Sequence, residues 1–323
     1  MKALVATHYG PPAELRVIDL PIPAPGPGQI LVQIKAASIN ATDLRVVTGF
    51  YRDALNLEFP YVPGNDFAGT VVEVGPEVTA FVAGDEIFGQ AMHRQLRIVA
   101  SAQRPSVSTG TLAEYAVFEA DTALLAHRPA SVSPEDAAAL AIGGMAARSA
   151  MKLADVRPGE RVLVIGATGG VGTALVPLLH SAGAVITATA DGGTGEAVLR
   201  ELGADHVIGI SPHTYPESVD AVFNLALFAA HLAPAAHALR PGGRLVSTVI
   251  PGPDLEDLGR DDLEVHVVND LEGKFGGMID VAETAAAGVF RATIGARYSL
   301  DRAVEAMVRF EGSGLIGKIV VTP

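Results

Sequence analysis

The stretch Arg161-Val162-Leu163-Val164-Ile165-Gly166-Ala167-Thr168-Gly169-Gly170-Val171-Gly172-Thr173-Ala174-Leu175-Val176 decides the fold. Its first five residues read as a buried strand, because a short apolar run rich in Val and Ile suits a sheet covered on both faces. Glycines then let the backbone turn tightly and approach a ligand closely. A helix opening at Thr173 offers unpaired N–H groups and the positive end of its dipole, which suits a pyrophosphate. Strand, turn and helix in that order form a dinucleotide-binding fingerprint. Gly166, Ala167, Thr168, Gly169, Gly170, Val171 and Gly172 are therefore expected to contact a nicotinamide dinucleotide.

Downstream, Val185–Thr189 reads as the second strand and runs into Ala190-Asp191. A carboxylate at that place accepts hydrogen bonds from the ribose 2′-OH of NAD, whereas a 2′-phosphate asks for Lys or Arg. No basic residue follows Asp191 until Arg200, so the cofactor expected is NAD(P)H with a lean toward NADH. Strands at 206–209, 221–225, 244–249 and 263–268 alternate with helices, which predicts a doubly wound parallel sheet. Helices are expected at 277–287 and 303–310, and a last strand at 317–321.

Upstream, the first third is rich in Pro, Gly and Val. Short strands at 4–6, 15–19, 30–37, 69–74, 85–88 and 113–118, separated by turn residues, predict a small β unit. Residues 89–112 are polar and read as a long surface loop. Ser133 before Pro134 predicts a helix start, with Ser133 as N-cap.

A chain of 323 residues suits about two domains. With 49% hydrophobic and 18% charged residues it is not a disordered sequence. The net charge of −13 and the lack of any Lys/Arg run argue against nucleic-acid and membrane-surface partners. Cysteine is absent, which removes disulfides, thiolate metal sites and Cys nucleophiles. The N-terminal apolar run is too short for a signal peptide, so a soluble, cytoplasmic protein is expected.

Further motifs surround the turn. They are Ser38-Ile39-Asn40-Ala41-Thr42-Asp43, Val62-Pro63-Gly64-Asn65-Asp66-Phe67-Ala68-Gly69, Gly110-Thr111-Leu112-Ala113-Glu114-Tyr115, Leu202-Gly203-Ala204-Asp205, Arg240-Pro241-Gly242-Gly243-Arg244 and Gly317-Lys318-Ile319-Val320. With them the chain resembles the medium-chain dehydrogenase/reductase superfamily, in its zinc-free quinone oxidoreductase (zeta-crystallin-like) branch, over nearly its whole length. The resemblance implies a GroES-like β domain at 1–123 and 271–323, a Rossmann-type domain at 124–270, an active site in the cleft between them, and a homodimer. It implies that Asn40 orients the cofactor and that Tyr51 lines the substrate pocket. It also implies that Asp43 and Asn65 border the place zinc takes in related alcohol dehydrogenases, and that Lys318 belongs with the cofactor-binding residues.

Those zinc enzymes carry a Cys near Asp43 and a His-Glu pair near Asn65-Asp66, and this chain has neither. Its nine histidines offer no ligand spacing, the nearest pair being His231 and His237, so no metal is expected. The chemistry implied is hydride transfer to a small quinone or α,β-unsaturated carbonyl. Two other readings stay open. An enoyl-thioester reductase would want basic residues such as Arg94, Arg97 and Arg104 at the pocket mouth. A non-catalytic nicotinamide-binding protein is allowed by Ala146, where the family commonly has Thr, and by the absence of the usual Lys after the second strand.

Overall fold

The computed structural model describes residues 1–53, 57–96, 103–312 and 314–323, and the chain forms two compact units. The first comprises Met1–Ile142, Leu271–Ala287 and Ile294–Pro323; the second comprises Gly143–Asp270 and Gly288–Thr293.

The first unit begins with the strands β1 (Lys2–Val5), β2 (Arg16–Asp19) and β3 (Gln29–Ser38), followed by the helix α1 (Ala41–Val47). Strands β4 (Asp66–Val74), β5 (Glu86–Gln90), β6 (Met92–His93), β7 (Val107–Ser108), β8 (Tyr115–Glu119) and β9 (Leu125–His127) follow. The ten-residue β3 is central, pairing antiparallel with β4 on one side and β8 on the other. Val32, Ile34, Phe67, Val71 and Phe118 meet in the core, where Phe67 and Phe118 stack at 4.0 Å.

The expected surface loop at 89–112 needs correction. It contains the end of β5 and all of β6 and β7, and Ala91, His93, Leu96, Ser106 and Ser108 are buried. Polar composition suggested solvent, but the polar side chains there are bonded inward: Ser106 Oγ donates to the Gln90 carbonyl at 2.6 Å. Arg97 lies outside the described residues. Arg104 is exposed and ion-paired to Asp121 at 2.9 Å.

The helix α2 (Pro134–Ala154) starts as its sequence suggests, with the Asp136 N–H donating to Ser133 Oγ at 3.1 Å. The second unit then alternates β10 (Arg161–Ile165), α3 (Gly172–Ser181), β11 (Val185–Thr189), α4 (Gly193–Glu201) and β12 (His206–Ile208). It continues with β13 (Val219–Asn224), α5 (Ala233–Ala238), β14 (Leu239–Ser247), α6 (Leu255–Leu258) and β15 (Glu264–Val267). The six strands are parallel in the order β12-β11-β10-β13-β14-β15, the doubly wound arrangement whose strand order reverses beside β10. Val162, Val164, Ile186 and Ala188 face α3, while Leu163, Ile165, Val222 and Leu245 face α5.

The chain then returns to the first unit through α7 (Gly277–Ala286), β16 (Ile294–Ser299), α8 (Ala303–Glu311) and β17 (Lys318–Thr322). β17 lies antiparallel to β3, with Val320 opposite Ser38, which brings Lys318 to the residues that follow β3.

Candidate functional site

Two sets of groups carry the chemistry, one in each unit. In the second unit, Ile165 ends β10 and Gly166 turns the chain with φ +81°, a conformation that disfavours any side chain. The turn is pinned to its neighbour strand, because the Gly166 N–H donates to Thr189 Oγ1 at 3.0 Å. Gly172 is needed for close approach, since a Cβ there would sit 2.3 Å from the Ala167 carbonyl oxygen. Thr173 closes the first helical turn, its N–H donating to the Gly169 carbonyl at 2.9 Å. The N–H groups of Gly170, Val171 and Gly172 donate to no described residue. Three free donors at a helix N-terminus, behind a turn packed tightly at Gly166 and Gly172, fit a pyrophosphate.

Asp191 follows β11, exposed and without a hydrogen bond to any described residue. Gly192, at φ +86°, starts α4 directly after it. The start of α4 lies against the glycine turn, as a Cβ on Gly195 would come within 3.1 Å of Thr168 Cγ2.

In the first unit, Asn40, Asp43 and Lys318 come together with a residue that sequence reading had only quoted inside a motif, Asp66. Asp66 is fully buried, and Lys318 Nζ donates to its Oδ2 at 3.0 Å. The same oxygen accepts from Ser38 Oγ at 2.6 Å and from Asn40 Nδ2 at 2.9 Å. Its other oxygen accepts from the Ile142 N–H at 3.0 Å. A buried ion pair is costly to desolvate, and it persists where further hydrogen bonds saturate both partners. Lys318 also donates to Asn40 Oδ1. The Asn40 amide is thereby fixed in orientation, its oxygen toward the ammonium and its nitrogen toward the carboxylate.

Asp43 forms a second layer. Its Oδ2 accepts from the Asn40 N–H at 2.7 Å, and its Oδ1 accepts from the Gly64 N–H at 3.0 Å and from Asn65 Nδ2 at 3.1 Å. Burial pushes the Asp43 carboxyl up to about 7; the Asn40 hydrogen bond works against this, and nearby Asp66 adds to it. Asn65 Oδ1 is buried and finds no hydrogen-bond partner among the described residues. Tyr51 is half-buried, its ring edge-on to Phe50 at 5.0 Å, and no hydrogen bond ties it to the others among the described residues. Among the described residues no group of three His, Cys, Asp or Glu side chains is placed to hold a metal ion. Both oxygens of Asp43 are already engaged by donors, which does not suit it as a ligand. No helix among the described residues is long and apolar enough to cross a membrane.

Residues 26–128 match the alcohol dehydrogenase GroES-like domain family, and residues 202–321 match the zinc-binding dehydrogenase family. The chain is 34% identical to the chloroplastic quinone-oxidoreductase QR1 of Triphysaria versicolor, over 64% of this chain and 60% of that protein. It is 28% identical to a mouse quinone oxidoreductase, over 99% of this chain and 97% of that one. Among solved structures, mycobacterial Rv1454c complexed with NADPH is similar at 25% identity with a TM-score of 0.85, covering 100% of both chains. The chain spans about 60% of the length of the first curated relatives it matches. The chain belongs to the medium-chain dehydrogenase/reductase superfamily, alongside its quinone oxidoreductases.

Proposed function

We propose that the chain is an NAD(P)H-dependent oxidoreductase that transfers hydride, without zinc, to a small quinone or an α,β-unsaturated carbonyl. The observation that carries this is the trio of free N–H groups at Gly170, Val171 and Gly172, in a turn that needs glycine at 166 and 172. The names of the relatives supply the acceptor class.

The nicotinamide, when bound, supplies the hydride. The residues of this chain bind and orient. The N–H groups of the turn hold the pyrophosphate, and Asp191 accepts from the ribose hydroxyls, which favours NADH over NADPH. Asn40 orients the nicotinamide, held rigid by Asp66 and Lys318, so its amide loses little freedom on binding. Lys318 holds the Asn40 amide and belongs with the cofactor-binding residues in this reading. The Tyr51 phenol is the donor proposed for the acceptor oxygen as charge develops on it. A cytoplasmic homodimer is part of the same reading.

Purified protein mixed with NADH or NADPH and a small quinone should bleach the nicotinamide absorbance band, faster with NADH. Binding of either cofactor without turnover on any quinone or enone would leave a nicotinamide-binding protein and sink the enzyme. A preference for NADPH would remove the role given to Asp191.

A further inference from the structure

The parallel sheet is unevenly covered. On its α5 face, Leu163 and Ile165 of β10 join a closed core with Val222, Leu232, Ala235 and Leu245. Beyond β10 that core thins to partly buried side chains, Ile208 of β12 and Tyr215 of the connection that follows it. Arg161 pairs with Val185 and Leu163 with Thr187, so Val185, Thr187 and Thr189 are the β11 residues on this face. None of the three belongs to the core. The cause is the connection from β12 to β13. These strands lie three places apart in the sheet, yet only residues 209–218 join them, with one 3-10 turn at Pro212–Thr214. A parallel crossover normally takes a dozen or more residues and a helix. The missing helix leaves a cavity of about 360 Å³ between that short connection and the sheet.

Its lining is cationic in an acidic chain. Arg161, Arg200 and His206 surround it together with Thr187 and Thr214, and no carboxylate is part of the lining. Arg200 holds Glu196 at 2.9 Å. The Arg161 guanidinium and the His206 imidazole make no hydrogen bond or ion pair with any described residue, and neither does the Thr187 hydroxyl, although Thr187 is 8% exposed. Val185, Ile208 and Pro216 supply an apolar wall. The cavity sits at the start of β10, whereas the glycine turn leaves its far end, a separation of roughly 15 Å along the strand.

We propose that this cavity is a second binding site, for a small organic phosphate. Arginine forks and a histidine N–H match a phosphate's oxygens, the Thr187 hydroxyl completes the set while that of Thr214 stays on the Gly209 and Ser211 carbonyls, and the apolar wall takes the body of the molecule. The site is independent of the reading given to the glycine turn.

Calorimetric titration of the full chain with phenyl phosphate and with inorganic phosphate, each with and without saturating NADPH, tests it. Phenyl phosphate is expected to bind with a Kd of about 1 mM or tighter, more tightly than inorganic phosphate, and NADPH should leave this unchanged. Arg161→Gln and His206→Gln should each weaken binding about tenfold, with Arg161→Lys intermediate because it keeps charge but not the fork. Both side chains are exposed, so unchanged melting temperatures will show the variants folded. No binding, binding as tight in both Gln variants as in the wild type, or binding abolished by NADPH would each overturn the proposal, the last by placing the phosphate on the glycine turn. Failure of both NADH and NADPH to bind would instead strike the dinucleotide reading, and the Arg161 and His206 variants would still decide the cavity.

Discussion

The glycine turn and the Asp66–Lys318 cluster are built in opposite ways. The turn presents backbone N–H groups, and its residues are consecutive. The cluster presents side chains, and its ion pair joins residues 252 positions apart. Side chains are excluded from the first at Gly166 and Gly172 and indispensable to the second. Mutation should therefore damage the turn by adding atoms and the cluster by removing them.

The largest effect is expected in the cluster. Lys318→Met leaves Asp66 buried without its counter-charge and should cost about 3–5 kcal/mol, read from urea unfolding. Adding Asp66→Leu to it should restore part of the loss, because the two residues fail as a unit. Simple additivity of the two substitutions would show that the pair is not coupled. In the turn, Gly172→Ala drives a Cβ into the Ala167 carbonyl and should weaken dinucleotide binding about 100-fold by fluorescence titration. Gly169→Ala, whose Cβ would meet nothing closer than 3.4 Å, should cost under about tenfold. Equal losses at the two glycines would break the claim that close packing sets the turn.

The next effect is one of pH. Burial pushes the Asp43 carboxyl of the folded chain up to about 7, from an ordinary 3.8. The folded state therefore holds the proton more tightly, and the stability this gives is complete below the lower value and lost as pH rises through the upper one. His93, pushed down to about 4 by burial, works the other way, losing stability as pH falls. The difference between wild type and Asp43→Asn isolates the carboxyl: urea midpoints should converge or cross as pH rises through that window. A constant difference across it would mean that Asp43 does not titrate there. The smallest change in stability is expected at exposed Asp191, where Asp191→Ala should leave the fold within about 0.5 kcal/mol. The same substitution should shift the ratio of NADH to NADPH affinity about tenfold toward NADPH, measured by paired titrations.

The contrast also explains what could be read from the chain alone. The turn was legible because strand period, glycine spacing and helix start all lie within sixteen consecutive residues. The parallel sheet was legible because its central strands, β10 above all, are apolar on both faces. Asp66 and Lys318 each stood in a quoted motif, yet nothing local says that they meet; only the pairing of β17 with β3 does that. The buried strands inside 89–112 were missed because Ser106 and Ser108 look like loop residues until the fold supplies their acceptors. β9 and β16 escaped for simpler reasons: three residues are too few to show a period, and 294–299 alternates between half-buried and exposed positions without a fully buried one.

The placement of β17 beside β3 also bears on the order of synthesis. Residues 318–322 leave the ribosome after every strand of the parallel sheet, so the second unit has all its strands before the first has its last. Until then, Asp66 has a buried position waiting and no cation to share it with. The counter-charge that accompanies Asp66 in the core is thus among the last residues of the chain to be made.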